Sequence, residues 1–342
     1  MPPRSRVSKV SKKSLRKSVI TKTKTGDKAN PSMRFYKVPS PEFNTKEEVI
    51  KAFGYVIEKQ IAKGGFGTVY ICFDTRKKIK VACKWMDLGT AKNDPRMSDT
   101  RNELFVIEKV RHPYIVKLFC HFVVQDNESN NLYIFMELAN GGDLYKYLQK
   151  RGIPNEKDLK KYWAQILCGI NHMHSYGIAH RDIKPQNVLL VECKRSITGD
   201  YLLQVTDFGL SCACQDGKLN QTVCGTPVFM APELLEKQKY NAFQIDIWAL
   251  GVTLFVMFSL ETPFDYDKPI EEQIKDMKNK NYSFSSKIPN QPSTQMSSYL
   301  SGMLEPDVQK RVNLLQCIHS PWCKTEFDAA HKLSDQMKNE NK

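Results

Sequence analysis

No apolar run in this chain is long enough to cross a membrane. The longest, from Ile245 to Leu260, is broken by Asp246 near its start. It falls short of the roughly eighteen residues a span requires and reads instead as a buried helix. An apolar leader of the secretory kind is also missing from the N-terminus. The ten cysteines fall at irregular spacings, which excludes an obvious disulfide framework. Together these absences lead to the expectation of a reducing intracellular setting, cytoplasm or nucleus, with no membrane partner. Cys212 and Cys214 are the closest pair, but one C-x-C is thin ground for a metal site and both read as loop thiols.

Acid is nearly missing from the first 37 residues, where Asp27 stands against twelve Lys or Arg. The other 305 residues carry 39 basic and 36 acidic side chains, so the net charge of +14 belongs mostly to the leader. Residues 1–45 show no apolar period, and a segment of that composition cannot bury enough surface to offset its ordering entropy. The expectation is a basic disordered tail. Three readings of it stay open: a solvated leader, a nuclear-import or nucleic-acid patch around Lys12-Lys13 and Arg16-Lys17, and a phosphorylation target at serines 5, 8, 11, 14 and 18. No aromatic precedes Phe35, so nucleic-acid or chromatin association by this tail would be electrostatic and non-specific.

The remainder is globular in composition, at 41% hydrophobic and 26% charged residues, and its length suits one or two domains. Its most informative stretch is Gly177-Ile-Ala-His-Arg-Asp182-Ile-Lys184-Pro-Gln-Asn187, followed by a strand-like run from Val188 to Val191. Val205-Thr206-Asp207-Phe208-Gly209 then adds a second carboxylate. One carboxylate to activate a hydroxyl, one lysine to neutralise phosphate and two hard oxygen donors are what phosphoryl transfer from a magnesium nucleotide requires.

Upstream, short apolar strands at Tyr55 to Ile61 and Thr68 to Phe73 flank the predicted turn Ala62-Lys63-Gly64-Gly65-Phe66-Gly67, where glycine lets backbone N–H groups approach phosphates. Lys84 lies within the apolar strand Val81-Ala82-Cys83-Lys84-Trp85 and needs an anionic partner there. Arg96 to Val110 has the spacing of a helix, with Met97, Leu104, Ile107 and Val110 on one side and Glu103 available for pairing. Lys157 to Tyr176 is amphipathic over five turns, with Gly177 suited to its C-terminal cap. The polar stretch Glu192 to Asp200 reads as a surface insertion, with docking as the lesser alternative.

This set of strings resembles the eukaryotic protein kinases over about residues 55–323. The resemblance implies an α+β, two-lobed fold: a small β-rich N-lobe (55–137), a hinge (138–142) and a large, mostly helical C-lobe (143–323). The tail 1–45 would precede this domain and a short tail 324–342 would follow it. ATP and Mg2+ would be the cofactors and proteins the substrates. Asp182, Lys184 and Lys84 would be catalytic, and Asn187 and Asp207 would hold metal. Nucleotide would contact Ile61, Ala62, Lys63, Gly64, Gly65, Phe66, Gly67, Thr68, Val69, Ala82, Lys84, Glu103, Glu137, Ala139, Asp143 and Leu189. Here Ala62 stands where the family's first loop glycine is usual.

By the same resemblance, Thr222 would be phosphorylated by an upstream kinase and pair with Arg181, and Thr226 would lie in the substrate loop. Asp246 would bond the backbone of the catalytic loop, and Arg311 would pair with Glu233. A lysine two residues after Asp182 suits serine/threonine kinases. Cys224-Gly225-Thr226-Pro227 through Ala231-Pro232-Glu233 looks most like the calcium/calmodulin-dependent-kinase-like group, with checkpoint-type, autophagy-initiating and NIMA-type kinases as alternatives. Calmodulin binding is not expected, because no basic amphipathic helix follows Trp322. The rival readings are a kinase-like scaffold without catalysis and a nucleic-acid-binding protein acting through the tail.

Overall fold

The computed structural model describes residues 45–64, 67–89, 108–125, 129–214, 219–286 and 291–340. Residues 104, 106 and 288 and the backbone at 21–22 and 35–37 are described as well. Two units divide the chain, one of 1–98 with 118–138 and one of 99–117 with 139–342.

The first unit is a sheet. Its elements are β1 (Thr21–Lys22), β2 (Phe35–Lys37), α1 (Lys46–Ala52), β3 (Tyr55–Gly64), β4 (Gly67–Asp74), β5 (Ile79–Asp87), β6 (Leu118–Gln125) and β7 (Asn130–Glu137), and the strands lie in the order β1-β2-β6-β7-β5-β4-β3. Strands β3 to β7 pair antiparallel, and β2 adds parallel to β6 with Phe35 opposite Val123. This departs from the expectation that residues 1–45 lack order: two short strands from that stretch extend the sheet, Thr45 caps the next helix, and its other residues lie outside the described ones. An edge strand offers a row of unpaired backbone groups, so it can recruit an extended segment whose side chains show no pattern.

Helix α1 starts on a capping box, in which the Thr45 hydroxyl accepts from the Glu48 N–H while Glu48 reaches back to the Thr45 N–H. It brings Ile50 onto one face of the sheet, over Tyr55, Cys72, Val81, Cys83, Phe122, Val124, Tyr133 and Phe135. Phe53 stacks on Phe122 at 4.0 Å and Tyr55 on Phe135 at 3.8 Å between ring centres.

The second unit is mostly helical, with α2 (Leu144–Arg151), α3 (Glu156–Ser175), β8 (Ile178–Ala179), β9 (Val188–Glu192), β10 (Tyr201–Val205), β11 (Cys212–Ala213), α4 (Pro232–Leu235), α5 (Ala242–Ser259), α6 (Ile270–Lys278), α7 (Thr294–Met303), α8 (Leu314–Ile318) and α9 (Lys324–Glu340). Of the helix expected over Arg96 to Val110, residues 104, 106, 108 and 109 are helical, with Leu104 and Val106 buried; Met97, Glu103 and Ile107 lie outside the described residues. The apolar run expected to be too short for a membrane span lies in α5, which corrects that expectation: at 18 residues and a mean hydropathy of 1.6 it is long and apolar enough by length and composition alone, yet 89% of it is buried inside the protein. It is the core helix of this unit.

The stretch after 323, expected as a short tail, is the 17-residue helix α9, packed on α3. It buries Phe327, Ala330 and Ser334, and the Tyr114 hydroxyl donates to the Ala330 carbonyl at 3.0 Å. Its last turn is held from the 192–200 insertion, where Arg195 donates to both Glu340 carboxylate oxygens at 2.8 and 2.9 Å.

Near α9, His112 and His172 lie with ring centres 4.7 Å apart, and the His172 Nε2 is buried without a hydrogen-bond partner. Burial first, and the nearby Lys338 ammonium after it, push His172 down to about 4. The unfolded chain takes up that proton near pH 6.5, whereas the folded one resists until about pH 4. This contribution to stability is therefore fully present above the unfolded value and lost as pH falls through that window. We expect the urea midpoint to drop on acidification across it, and the drop to shrink in His172→Phe; an unchanged slope in the variant would assign the loss elsewhere.

Candidate active site

Strand register decides which predicted residues meet. In the first unit Ala62 lies opposite Val69, Val69 opposite Lys84, Lys84 opposite Ile134, and Ala82 opposite Met136. Directly paired residues project to the same side, so Ala62, Val69, Ala82, Lys84 and Met136 share the face turned away from α1. Lys84, at 9% exposure, is a buried cation on this surface. The predicted turn at 62–67 is shorter than expected. Ala62, Lys63 and Gly64 continue β3, paired with Val69, Thr68 and Gly67, while Gly65 and Phe66 lie outside the described residues. Ile61 is exposed at 47% and Thr68 is buried. Gly67 has φ +123°, and a Cβ there would come within 2.3 Å of the Trp85 carbonyl oxygen, so glycine is required. Glu137 closes β7.

In the second unit α3 ends at Ser175 and Gly177, at φ +70°, turns the chain into β8. The loop after β8 hangs on Asp246, a fully buried residue of α5. Its carboxylate accepts the His180 N–H and the Arg181 N–H, each at 2.8 Å, and lies 2.8 Å from His174 Nε2. His180 is pinned by two further bonds. Its Nδ1 accepts the Asp182 N–H at 3.2 Å, which leaves Nε2 as the donor to the Thr206 carbonyl at 3.0 Å.

This places the Asp182 carboxylate among three partners. Oδ2 accepts from Lys184 Nζ at 2.7 Å and from Asn187 Nδ2 at 2.9 Å; Oδ1 accepts from the Thr226 N–H at 3.0 Å and its hydroxyl at 2.7 Å. Lys184 also donates to Thr226 Oγ1 at 2.6 Å. Burial pushes the Asp182 carboxyl up, but the bonds from Lys184 and Thr226 outweigh it and hold the group below the usual carboxylate range. Asp182 is thus an ionised acceptor in an oriented cluster.

The ribbon β9–β10 sets the metal candidates. Val188 lies opposite Val205, and the Thr206 N–H donates to the Asn187 carbonyl at 3.0 Å, so Asn187 and Asp207 leave the same end of the ribbon. Both Asn187 Nδ2 contacts go to Asp182, at its carbonyl and its carboxylate, which commits the amide nitrogen and leaves the oxygen as the end suited to a hard cation. Asp207 adopts φ +65°, ψ +71° and Arg181 φ +65°, both left-handed backbone that a non-glycine residue holds only when its surroundings enforce it.

The chain before α2 is tied to the same ribbon. Gly141 N–H donates to the Leu190 carbonyl and Leu190 N–H to the Gly142 carbonyl, both at 2.9 Å, so that Asp143 bridges Leu189. A side chain at Gly141 would come within 2.7 Å of Leu190 Cβ. Asp143 caps α2 through Lys146 N–H at 2.9 Å, and Ala139 stands four residues before it.

Arg181 extends the site toward Thr222. Its Nε donates to the Leu210 carbonyl at 2.6 Å and its Nη1 to the Tyr240 hydroxyl at 3.4 Å, while that hydroxyl donates to the Thr222 carbonyl at 2.7 Å. The Thr222 side chain is exposed. Tyr240, His174 and His180 belong to this network; His180 lies within the string read from the sequence, whereas no motif marks His174 or Tyr240, and Tyr240 has no local signal, since 59 residues separate it from Arg181.

Residues 55–323 match the model of the protein kinase domain. The chain belongs to that family, and with it to the eukaryotic serine/threonine kinases. It is 32% identical over 272 residues to CBL-interacting protein kinase 28 of Oryza sativa subsp. japonica, covering 78% of this chain and 58% of that one. It is also 32% identical over 277 residues to CBL-interacting serine/threonine-protein kinase 18 of Arabidopsis thaliana, covering 80% and 50%. To the probable serine/threonine-protein kinase MARK-A of Dictyostelium discoideum it is 32% identical over 293 residues, covering 84% and 26%. The chain spans about half the length of the plant relatives it matches.

The segment beyond Thr226 is anchored by a buried ion pair. Arg311 Nη1 and Nη2 meet the two Glu233 oxygens at 2.7 and 3.0 Å, Nε donates to the Glu305 carbonyl at 2.8 Å, and the side chains are 0% and 7% exposed. Removing one partner strands the other charge without water. Arg311→Ala should therefore lower unfolding free energy by about 3–5 kcal/mol in denaturant titration, far more than a surface pair is worth. A loss below about 1 kcal/mol would mean that water reaches Glu233.

Proposed function

We propose that this protein transfers the γ-phosphoryl group of ATP to serine or threonine hydroxyls of protein substrates, using Mg2+, and that phosphorylation of Thr222 activates it. The observation that carries the reading is the Asp182 cluster. A carboxylate held ionised by Lys184 and Thr226, and bonded by Asn187 as well, is fixed in direction and can accept or orient the proton of an incoming hydroxyl. Lys184 stands beside it to neutralise a transferring phosphoryl group. Asn187 Oδ1 and Asp207 would hold Mg2+, which when bound neutralises charge on the outer phosphates. Lys84 would pair with the inner phosphates, and the apolar face of Ala62, Val69, Ala82 and Met136 would receive the base.

Phosphate at Thr222 would bring up to two negative charges to a segment already linked to Arg181 through Tyr240, and Arg181 shares its backbone with the catalytic loop. An upstream kinase is the implied partner. The basic leader would favour entry to the nucleus over retention in the cytoplasm, and deleting residues 1–20, which precede the strands of the sheet, should leave phosphoryl transfer intact.

Transfer from ATP to a degenerate serine/threonine peptide library, with and without Mg2+, tests this. Asp182→Asn should lose about 100-fold or more in kcat with an unchanged unfolding midpoint. Transfer no greater than in that variant would leave a scaffold reading. Thr222→Ala should retain the fold and lose most of the turnover gained on incubation with an activating kinase; full turnover in the variant would remove Thr222 from the mechanism.

A further inference from the structure

Directly after the 207–209 turn, two thiols lie together in a place the phosphoryl-transfer reading does not use. Cys212 Sγ and Cys214 Sγ are 3.9 Å apart, and both residues are half-buried rather than sealed in the core. Strand β11 carries Cys212 and pairs with β8, with Cys212 opposite Ala179 and Ala213 opposite Ile178. Cys214 N–H donates to the Gly177 carbonyl at 2.7 Å. This short ladder is the last support of the chain before His180, Arg181 and Asp182.

The two sulfurs differ in character. The hydrogen bond from the Cys214 thiol, and after it the Arg181 guanidinium, hold Cys212 below the usual thiol range against the effect of burial. That same bond, and then burial, push Cys214 up. Burial also raises Cys83, Cys168, Cys317 and Cys323 in the core. Thiolate character and access together decide which cysteine an oxidant finds; Cys212 shares its partial exposure with Cys120, Cys193, Cys214 and Cys224 but adds a lowered thiol and a second sulfur 3.9 Å away, with Cys214 placed to resolve it.

We propose that Cys212 and Cys214 form a reversible oxidation site that peroxide closes to a disulfide, loosening the β8–β11 ladder beneath the catalytic loop. The Cys212 thiolate attacks one peroxide oxygen; an S–O bond forms, the O–O bond breaks, and the departing hydroxide leaves as water after taking up a proton. Cys214 then gives up its proton and attacks the Cys212 sulfur; the S–S bond forms and the S–O bond breaks with loss of a second water. Two thiols lose two electrons, and one hydrogen peroxide is reduced to two waters. The sulfurs must close from 3.9 Å to about 2.05 Å. At i, i+2 spacing few torsions are available for this, so the backbone from 212 to 214 must bend out of its pairing with Gly177 and Ala179.

Digestion by trypsin after Arg195 and Lys218 gives peptide 196–218, whose cysteines are Cys212 and Cys214 alone. After hydrogen peroxide the full chain should yield this peptide lighter by two hydrogens and refractory to iodoacetamide, and dithiothreitol should restore alkylation at both positions. Its alkylated fraction should fall about tenfold while Cys224 stays alkylatable. Hydrogen exchange at residues 178–182 should quicken about tenfold or more in the oxidised form, and Cys214→Ser should yield no species lighter by two hydrogens and leave that exchange unmoved. Two alkylated cysteines after peroxide, a bridge to Cys224, or a disulfide that leaves exchange at 178–182 unmoved would each overturn the proposal. Mass and exchange read the site whether or not the chain transfers phosphate.

Discussion

A single buried carboxylate supports most of what is distinctive here. Asp246 has no access to water, so its oxygens must find donors within the protein or leave a costly group unpaired. It finds the N–H groups of His180 and Arg181, two consecutive amides of a loop that would otherwise have no regular partner. Once these are fixed, His180 is oriented by bonds at both ring nitrogens, Asp182 takes its N–H direction from His180, and Arg181 is held in a left-handed conformation. The carboxylate sits on α5, an apolar helix that could not tolerate it without this use. Core and candidate site are therefore one construction: the helix that gives the second unit its hydrophobic centre also holds the loop that carries its acid.

The same economy appears in the strands. A β-ladder fixes which side chains share a face, and a slip of one residue would reverse every one of them. Register brings Ala62, Val69, Ala82, Lys84 and Met136 to one surface in the first unit and sets Asn187 and Asp207 at one ribbon end in the second. None of these residues is near the others in sequence as a group. Their meeting depends on pairings such as Val188 with Val205, whose own side chains are buried core.

How legible this was depends on how locally each part is encoded. The loop from His180 to Asn187 could be read because its chemistry is concentrated in eight residues, and Lys84 because a charge inside an apolar strand demands a reason. Helix α3 announced itself by period, and the register of β9 against β10 rests on two short apolar runs. Helix α9 did not, because it docks through Phe327, Ala330 and Ser334, two of them too small to mark an apolar stripe in a sequence of mixed charge. Their spacing of three and four is the signal that was there. For α1 the signal was the capping box at Thr45 and Glu48. The two strands from the leader left none, since the parallel addition of β2 to β6 and the antiparallel addition of β1 to β2 use backbone groups that every residue carries. Tyr240 is of the same kind: its role comes from what lies above and below it in space.

Arg181 is where these constraints converge. Its N–H belongs to Asp246, its Nε to the Leu210 carbonyl, its Nη1 to Tyr240 and so to the backbone of Thr222, and its carbonyl oxygen leaves room only for glycine at 225. Cys212 lies in the field of the same guanidinium. A residue so committed has little freedom to adjust, and its strained backbone stores the consequence. Movement of the 210–226 segment must therefore be felt at residue 181, one position from the candidate acid. A charge added at Thr222 and a bond closed at Cys212 would press on this residue from opposite ends of one segment. Asp182 lies next in the chain, and its partners Lys184 and Thr226 are themselves joined at 2.6 Å, so a displacement of Thr226 bears on the carboxylate directly.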